Sequence, residues 1–125
     1  MILVDTNIFI EILQNTPVGQ KAVETLETTA PAEKFAYSII TWFELCARPQ
    51  QTEAARQLLQ GFEPVVLTLP IAESAAEIFH KRMSANRRHI SDALIAATAL
   101  AMGASLWTLN RSDFKRVPRL KMFPY

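Results

Sequence analysis

Short, wholly apolar runs alternate along the chain with longer segments in which apolar residues recur every three or four positions. The short runs are typical of strands buried on both faces of a sheet, and the longer segments are typical of helices with one apolar face. The runs predict four strands, at residues 1–4, 35–39, 65–67 and 105–109. The periodic segments predict helices that begin near residues 6, 18, 41, 52, 70 and 92.

The segments between these elements carry residues that end helices and form turns. Gly61 and Gly103 each follow a predicted helix, and Ser91 is predicted to cap the last long helix. We also expect a basic loop, a turn and a tail with a short edge strand, at residues 84–89, 110–114 and 117–125. Because strands and helices alternate throughout, the sequence predicts one α/β domain, residues 1–125, in which helices cover both faces of a parallel sheet.

Asp5 ends the first apolar run and therefore falls at the carboxyl end of the first predicted strand. In open α/β sheets, ligands bind in the crevice beyond that edge, so an acid placed there is a candidate for chemistry. An aspartate in front of a helix also serves as an N-cap. Taken alone, the position of Asp5 supports both interpretations equally.

Three further carboxylates stand at comparable places in the pattern. Glu44 lies among apolar residues in the helix after the second strand, Asp92 lies in the first turn of its helix, and Asp113 follows the fourth strand. In a doubly wound sheet all four acids converge on the same edge. Clustered carboxylates raise one another's pKa values, so a divalent cation relieves their repulsion, and all-oxygen ligation favours Mg²⁺ or Mn²⁺.

The formal net charge of +1 hides an uneven distribution of charge. Residues 1–80 hold four bases and ten acids, whereas residues 81–125 hold nine bases and two acids. This asymmetry indicates a polyanionic partner, although any single Lys or Arg is more often part of a solvated face. The candidates for contact with such a partner are Arg87, Arg88, Arg111, Lys115 and Arg116.

Together, the acids and the basic end of the chain indicate a nuclease. A carboxylate-bound Mg²⁺ lowers the pKa of a bound water and orients it for in-line attack on a phosphodiester, while basic side chains hold the phosphate backbone. Neutral side chains that could orient carboxylates or water are Thr6, Asn7, Thr108 and Asn110. Turn and cap chemistry is the alternative role for these residues, and it is at least as strong for Asn110.

Other classes of function lose support from the composition. Three glycines cannot build a dinucleotide fingerprint or a phosphate-binding P-loop. Cys46 is the only cysteine, and two histidines are too few and too isolated for a zinc site. We interpret His80 as a surface residue of its helix and His89 as a contact to the phosphate backbone of a nucleic acid. No apolar stretch is long enough to span a membrane and the start lacks the basic region of a signal peptide, so we expect a soluble, cytoplasmic protein.

Four ordered motifs resemble those of PIN-domain ribonucleases, and specifically the short VapC-type toxins of toxin-antitoxin pairs. They are Leu3-Val4-Asp5-Thr6-Asn7, Glu44-Leu45, Asp92-Ala93-Leu94-Ile95-Ala96-Ala97 and Thr108-Leu109-Asn110-Arg111-Ser112-Asp113-Phe114. Each motif is weak alone, but four in this order and spacing, over nearly the whole chain, are specific. The chain departs from the family at His89-Ile90-Ser91, where such toxins often have a glycine-containing turn.

The resemblance implies a three-layer α/β/α PIN-like fold with a central, mostly parallel sheet. It implies a Mg²⁺- or Mn²⁺-dependent endoribonuclease that is the toxin of a type II toxin-antitoxin pair, forms a homodimer, is covered by a cognate antitoxin and cleaves structured RNAs such as tRNA. The catalytic, metal-binding role falls on Asp5, Glu44, Asp92 and Asp113. A supporting role falls on Thr6, Asn7 and Thr108.

Two other functions stay open on the sequence alone. A non-catalytic PIN-like module would bind RNA or a protein partner without cutting, and the presence of all four acids disfavours it. A phosphatase acting on small substrates at the same metal is disfavoured by the shortage of glycine-rich phosphate loops.

Overall fold

A computed structural model of the chain describes residues 1–124. Its strands are β1 (Ile2–Val4), β2 (Phe35–Ser38), β3 (Glu63–Val65), β4 (Ser105–Trp107) and β5 (Lys121–Met122). Its helices are α1 (Thr6–Leu13), α2 (Pro17–Thr29), α3 (Ile39–Cys46), α4 (Thr52–Leu59), α5 (Leu69–Arg82), α6 (Ile90–Ala101) and α7 (Arg111–Phe114), with a short 3₁₀ helix at Arg87–His89.

The five strands form one parallel sheet in the order β3-β2-β1-β4-β5. Successive side chains of a strand point to opposite faces, so each strand contributes to two apolar clusters. Leu3 and Leu106 pack in the cluster that contains the buried residues of α5, α6 and α7, whereas Val4 and Trp107 pack in the cluster that contains those of α1 to α4. These layers confirm the predicted three-layer α/β/α fold with a parallel sheet.

The strand order creates a switch point at the carboxyl ends of β1 and β4. The chain builds outward from β1 through β2 to β3, then crosses to the other side of β1 to add β4 and β5. The register pairs Val4 with Trp107, and the N–H of Asp5 donates to the Trp107 carbonyl at 2.9 Å. Asp5 and Thr108 therefore leave neighbouring strands side by side, where doubly wound sheets hold their ligands.

The predicted third strand at 65–67 is wrong by two residues. Within residues 1–124, β3 is an edge strand bonded only to β2, so it tolerates Pro64, which has no N–H to donate. Val66 and Leu67, which the apolar pattern placed in the strand, are exposed beyond its end.

The second strand is one residue shorter than predicted, and the fourth is two residues shorter. Ser38 ends β2, and its hydroxyl accepts a hydrogen bond from the Ile40 N–H at 3.2 Å. This cap puts Ile39, predicted as strand, into the first turn of α3. Beyond β4, the predicted turn at 110–114 contains the short helix α7.

The predicted cap at Ser91 is also wrong. α6 begins at Ile90, directly after the 3₁₀ helix, so Ser91 lies inside its first turn. The helical turn in the predicted loop is capped by Asn86, whose side-chain oxygen accepts from the Arg88 N–H at 3.2 Å. This arrangement sets the position of His89 next to α6.

The end of α6 and the tail agree with the sequence prediction. Gly103 follows α6 with φ 60°, a left-handed conformation that glycine adopts readily. The edge strand in the tail is β5, and the predicted segment also includes Tyr125, which lies outside the described residues. Within residues 1–124, none of the helices is long and apolar enough to cross a membrane.

Candidate active site

Asp5 is both a helix cap and the buried acid of the site. Its backbone is extended, and its Oδ1 accepts from the N–H of Thr6 at 2.7 Å at the start of α1. Its Oδ2 accepts from the Thr108 hydroxyl at 2.7 Å and from the Asn7 amide at 3.2 Å. With 4% of its surface exposed, the carboxylate is fixed by one backbone donor and two side-chain donors at once. The two interpretations that the sequence left open are therefore compatible.

The environment of Asp5 opposes its ionisation. The pKa of Asp5 is raised from 3.8 to about 6, mainly by burial; the negative charges of Asp92 and Glu44 contribute to the rise, and the hydrogen bonds from Thr108 and the Thr6 backbone oppose it. These two charges act on Asp5 because the fold brings three elements, the end of β1, α3 and α6, to the same edge of the sheet. A divalent cation at this edge would offset both the burial and the mutual repulsion of the acids.

Glu44 is held beside Asp5 by a chain of hydroxyl groups. The Thr6 hydroxyl donates to Glu44 Oε1 at 2.8 Å and lies 2.9 Å from the hydroxyl of Thr41, which is buried on α3. Since Thr6 has one hydroxyl hydrogen, donation to Glu44 leaves Thr41 as the donor of the second bond. Thr41, which the sequence reasoning missed, thus helps to fix the acid through Thr6.

Thr108 and Asn7 form the other support of Asp5. The Thr108 hydroxyl accepts from the Asn7 amide and from the N–H of Asn110, each at 3.1 Å, and its own hydrogen goes to Asp5. The Asn7 side-chain oxygen accepts from the N–H of Leu109 at 3.2 Å. Asn110 contributes only its backbone N–H here, since its side chain makes no hydrogen bond to the part of the chain that the structure describes.

Asp92, Asp113 and His89 form a second group next to Asp5. Ligand atoms of the three side chains all lie within 4.8 Å of one another. Asp92 is in the first turn of α6, where a negative charge interacts favourably with the helix dipole. Because Asp92 also acts electrostatically on Asp5, it connects the two groups into one cluster of carboxylates.

The interpretation of His89 as isolated is wrong. Its Nδ1 lies 2.8 Å from Oδ2 of Asp92, and Arg88 Nε donates to its Nε2 at 3.1 Å. An Nε2 that accepts places the ring hydrogen on Nδ1, so His89 donates to Asp92. The spacing of three residues at a helix start, which puts side chains on the same face, was the signal that could have found this pair.

Basic side chains adjoin this cluster. A cleft of about 260 Å³ is lined by His89 and Asp113 together with Lys115, Arg116 and Arg82. Two of the five basic residues predicted to contact a polyanion thus line a cleft that reaches Asp113, and Arg82 is a further basic residue that the prediction missed.

The other three predicted bases lie around the same edge. Arg87 and Arg88 are exposed on the 3₁₀ helix, and Arg88 also orients His89. The exposed Arg111 donates through Nη1 to the carbonyl oxygen of Phe123 at 2.9 Å, which ties α7 to the tail.

The donor set fits a hard divalent cation. Among the described residues, ligand atoms of Asp92, Asp113 and His89 lie within 4.8 Å of one another, and the charges of Asp92 and Glu44 act on Asp5. Carboxylate oxygens therefore predominate, and a histidine nitrogen does not exclude Mg²⁺ while also suiting Mn²⁺. The partly exposed oxygens of Asp92 and Asp113 leave an approach for a substrate from the basic cleft. Such an arrangement can activate water beside a bound phosphodiester.

Comparisons with known proteins agree with this geometry. Residues 2–120 match the PIN domain, a range that includes all four acids. The chain is 33% identical to Ribonuclease VapC19 of Mycobacterium tuberculosis over 97% of its length and 98% of that protein.

Solved structures give the same result. A toxin-antitoxin complex from Klebsiella pneumoniae has a chain with a TM-score of 0.78 and 29% identity, covering 100% of this chain and 98% of its own. VapBC2 from Rickettsia felis, bound to a DNA fragment from its promoter, has a chain with a TM-score of 0.79 and 25% identity. The match covers 100% of this chain and 99% of that one.

Proposed function

The chain belongs to the PIN domain family, and from this premise we propose that it is a Mg²⁺- or Mn²⁺-dependent endoribonuclease that acts as the toxin of a type II toxin-antitoxin pair. The observation that carries the proposal is the convergence of Asp5, Glu44, Asp92 and Asp113 at one edge of the sheet. A non-catalytic binding module has no need to bury an acid such as Asp5 among like charges.

The four acids are the proposed metal ligands. A bound divalent cation supplies an activated water and neutralises negative charge at the phosphodiester. Thr108 and the Thr6 N–H hold Asp5, the Thr6 hydroxyl holds Glu44, and His89 holds Asp92. Since each of these donors fixes a carboxylate in one orientation, the site is organised before a cation or substrate arrives.

The substrate is proposed to be RNA held through its phosphates. Lys115 and Arg116 line the cleft that reaches Asp113, so they are placed to bind the backbone next to the acids. Arg87, Arg88 and Arg111 are proposed as further phosphate contacts at the rim. A structured RNA such as tRNA is the target class that fits the family resemblance.

The proposed partners are a cognate antitoxin and a second copy of the chain, in the cytoplasm. The relatives from Klebsiella pneumoniae and Rickettsia felis are toxin-antitoxin assemblies, which supports the first partner. Exposed apolar side chains, such as Phe43 at 70% and Leu69 at 71%, give such partners surface to cover. We treat residues 1–125 as a single PIN-like domain, which the match over 2–120 supports.

Cleavage of RNA by the purified chain tests the proposal. Total cellular RNA incubated with Mg²⁺ or Mn²⁺ should be cut, and EDTA should stop cleavage. Asp92→Asn should lower the rate by at least about 100-fold, because it removes a charged ligand. Glu53→Gln is the matched control, since Glu53 is an exposed acid on α4, on the opposite face of the sheet.

Two outcomes would contradict the proposal. Cleavage that persists in Asp92→Asn, or in EDTA, would point to a contaminating nuclease. RNA that binds tightly but stays intact with both metals would favour the non-catalytic module instead.

A further inference from the structure

Three clefts adjoin one another along the face of the molecule that carries α5 and α6. The first, of about 260 Å³, reaches Asp113 and is lined by Arg82, Lys115 and Arg116 among others. The second, of about 210 Å³, is lined by Arg82 and Arg119, and the third, of about 280 Å³, by Arg119 and Lys121. Arg82 therefore stands between the first two clefts and Arg119 between the last two. We call the three clefts together the basic track.

The basic track runs from the acid cluster to the opposite edge of the sheet. Its first cleft includes His89, immediately before α6, and its third includes Gly103 and Ala104, between the end of α6 and the start of β4. Helix α6 rises 1.5 Å per residue, so the distance from Asp92 to Gly103 is about 16 Å. The basic track is therefore longer than a surface that binds only the phosphate next to the acids would need to be.

The charge of the basic track is strongly positive. Among the residues that the structure describes, two acids line it, Glu77 and Asp113, against six bases: Lys81, Arg82, Lys115, Arg116, Arg119 and Lys121. Glu77 forms a salt bridge with Lys81 at 3.1 Å. The other five bases are exposed and form no salt bridge with a residue in the described range 1–124. Unpaired cations in a row along a groove complement a polyanionic strand.

Arg119 has an unfavourable backbone at the centre of this surface. Its φ is 66°, in the left-handed region where glycine and asparagine are usual and other side chains are strained. The exposed side chain has no core packing that would offset the strain. Glycine would adopt this conformation without strain, so an arginine at this position favours a role for its charged side chain.

We propose that the basic track binds the RNA strand that leads away from the scissile phosphate, with Arg82 and Arg119 as phosphate contacts beyond the cleft at the acids. This inference rests on the proposed function, since it assigns the path of that substrate. The contacts are to the backbone, so they add affinity and position for any RNA sequence. The five bases predicted from the sequence include neither Arg82, on α5, nor Arg119, in the tail.

Equilibrium binding at several salt concentrations tests the basic track. The probe is a fluorescein-labelled single-stranded RNA of mixed sequence, about 15 nucleotides long, measured by anisotropy in EDTA so that no cleavage occurs. The logarithm of the binding constant falls as the logarithm of the salt concentration rises. Removing one base that binds a phosphate should reduce the magnitude of this slope by about 0.7. Arg119→Gly should therefore lower it by about 0.7, and Arg82→Ala with Arg119→Gly by about 1.4.

Two controls separate binding from folding and from net charge. Glycine suits the left-handed backbone at position 119, so Arg119→Gly should melt at or above the temperature of the wild type. Arg119→Asn, which also tolerates this conformation, should lower the slope by the same amount. Lys21→Ala removes one exposed base from α2, on the opposite face of the sheet, and should leave the slope unchanged.

If variants of the basic track bind RNA with the same salt dependence as the wild type, the inference is overturned. An acidic protein would then be the better candidate to bind this surface. The proposed function would still stand if the wild type cut RNA with metal. A wild-type chain that neither binds nor cuts RNA would overturn both.

Discussion

At the scale of single residues, Asp5 shows how this site is assembled from ordinary helix chemistry. The same carboxylate accepts from the first N–H of α1 and from the hydroxyl of Thr108, which directly follows β4. A cap needs only one of its oxygens, which leaves the other to be oriented by the site. The burial that makes the cap rigid also disfavours the charge, and the resulting pKa of about 6 makes Asp5 sensitive to pH.

The metal-free protein should lose stability as the pH rises through the range in which Asp5 ionises. The pKa of Asp5 is about 6 in the folded chain and near 3.8 when unfolded, so the folded state holds the proton more tightly. The contribution of protonated Asp5 to the free energy of unfolding is complete below about pH 4 and lost by about pH 6. A difference of this size between the two pKa values corresponds to about 3 kcal/mol. Urea unfolding in EDTA between pH 4 and pH 7.5 measures it.

Asp5→Asn isolates this effect from the other titrating groups. The variant cannot ionise at position 5, so the difference in unfolding free energy between it and the wild type should change with pH in the same window. Above pH 6 Asp5→Asn should be the more stable protein without metal, although we expect it to be inactive. A difference that stays constant from pH 4 to pH 7.5 would show that burial does not perturb Asp5.

The sequence predicts residues that follow strands better than it predicts residues that act through others. Asp5 comes directly after an apolar run and Asp113 lies in the turn that follows another, so their place at the sheet edge follows from the pattern. His89 and Thr41 carry no such signal, because their roles depend on which side chains lie opposite them in three dimensions. The composition suggested that His89 was isolated, whereas in the fold its side chain contacts Asp92.

At the scale of elements, helix α1 depends on how closely α2 packs against it. Gly19 on α2 faces the backbone of α1 so tightly that a Cβ there would lie 2.0 Å from the Glu11 carbonyl oxygen. The turn between the helices is held by Thr16, whose hydroxyl accepts from the Gly19 N–H at 3.0 Å and donates to the Glu11 carboxylate. Because α1 also carries Thr6 and Asn7, this contact supports the site from its far end.

Gly19→Ala should therefore destabilise the protein, even though alanine is the better helix former. The overlap is with backbone, which cannot rotate away, so we expect a loss of at least about 3 kcal/mol and a melting temperature roughly 10 °C lower. Gly61→Ala is the matched control, since its nearest contact is 3.9 Å away and its effect should be within about 1 kcal/mol. Equal melting temperatures for the two variants would mean that α2 can move away from α1 without loss.

Element types follow from the sequence more closely than element ends. The alternation of strands and helices is local, and it predicts the layers. The end of a strand depends instead on its neighbours, since β3 stops at Val65 where its pairing with β2 stops, although Val66 and Leu67 are as apolar as the strand. Caps such as Ser38 and Asn86 then begin helices earlier than the apolar period indicates.

At the scale of the whole molecule, the site joins parts of the chain that are far apart in sequence. Asp5 is at the start, Glu44 and Asp92 follow on α3 and α6, and Asp113 is on α7 near the end. The strand order β3-β2-β1-β4-β5 brings these elements to one edge, which the sequence indicated only through the assumption of a doubly wound sheet. A cation bound there would connect elements from both halves of the chain.

Binding of Mn²⁺ should consequently raise the melting temperature of the whole protein. A ligand at 100 times its Kd that binds only the folded state adds about 2.7 kcal/mol, or roughly 10 °C for a chain of this size. Asp92→Asn should abolish the rise, because Asp92 belongs to both groups of acids. Scanning fluorimetry over a Mn²⁺ series measures the shift, and Glu53→Gln, on the opposite face, should keep it in full.

His89 gives the finer test of how the cation site is organised. His89→Ala removes the donor that lies 2.8 Å from Asp92, so the concentration of Mn²⁺ needed for half the rise should increase about 10- to 100-fold. His89→Asn places an amide nitrogen at the position of Nδ1 and should restore most of the affinity if the residue acts by orienting Asp92. If instead both variants lose affinity equally, His89 is itself a ligand, and if neither does, the pair with Asp92 has no part in binding the metal.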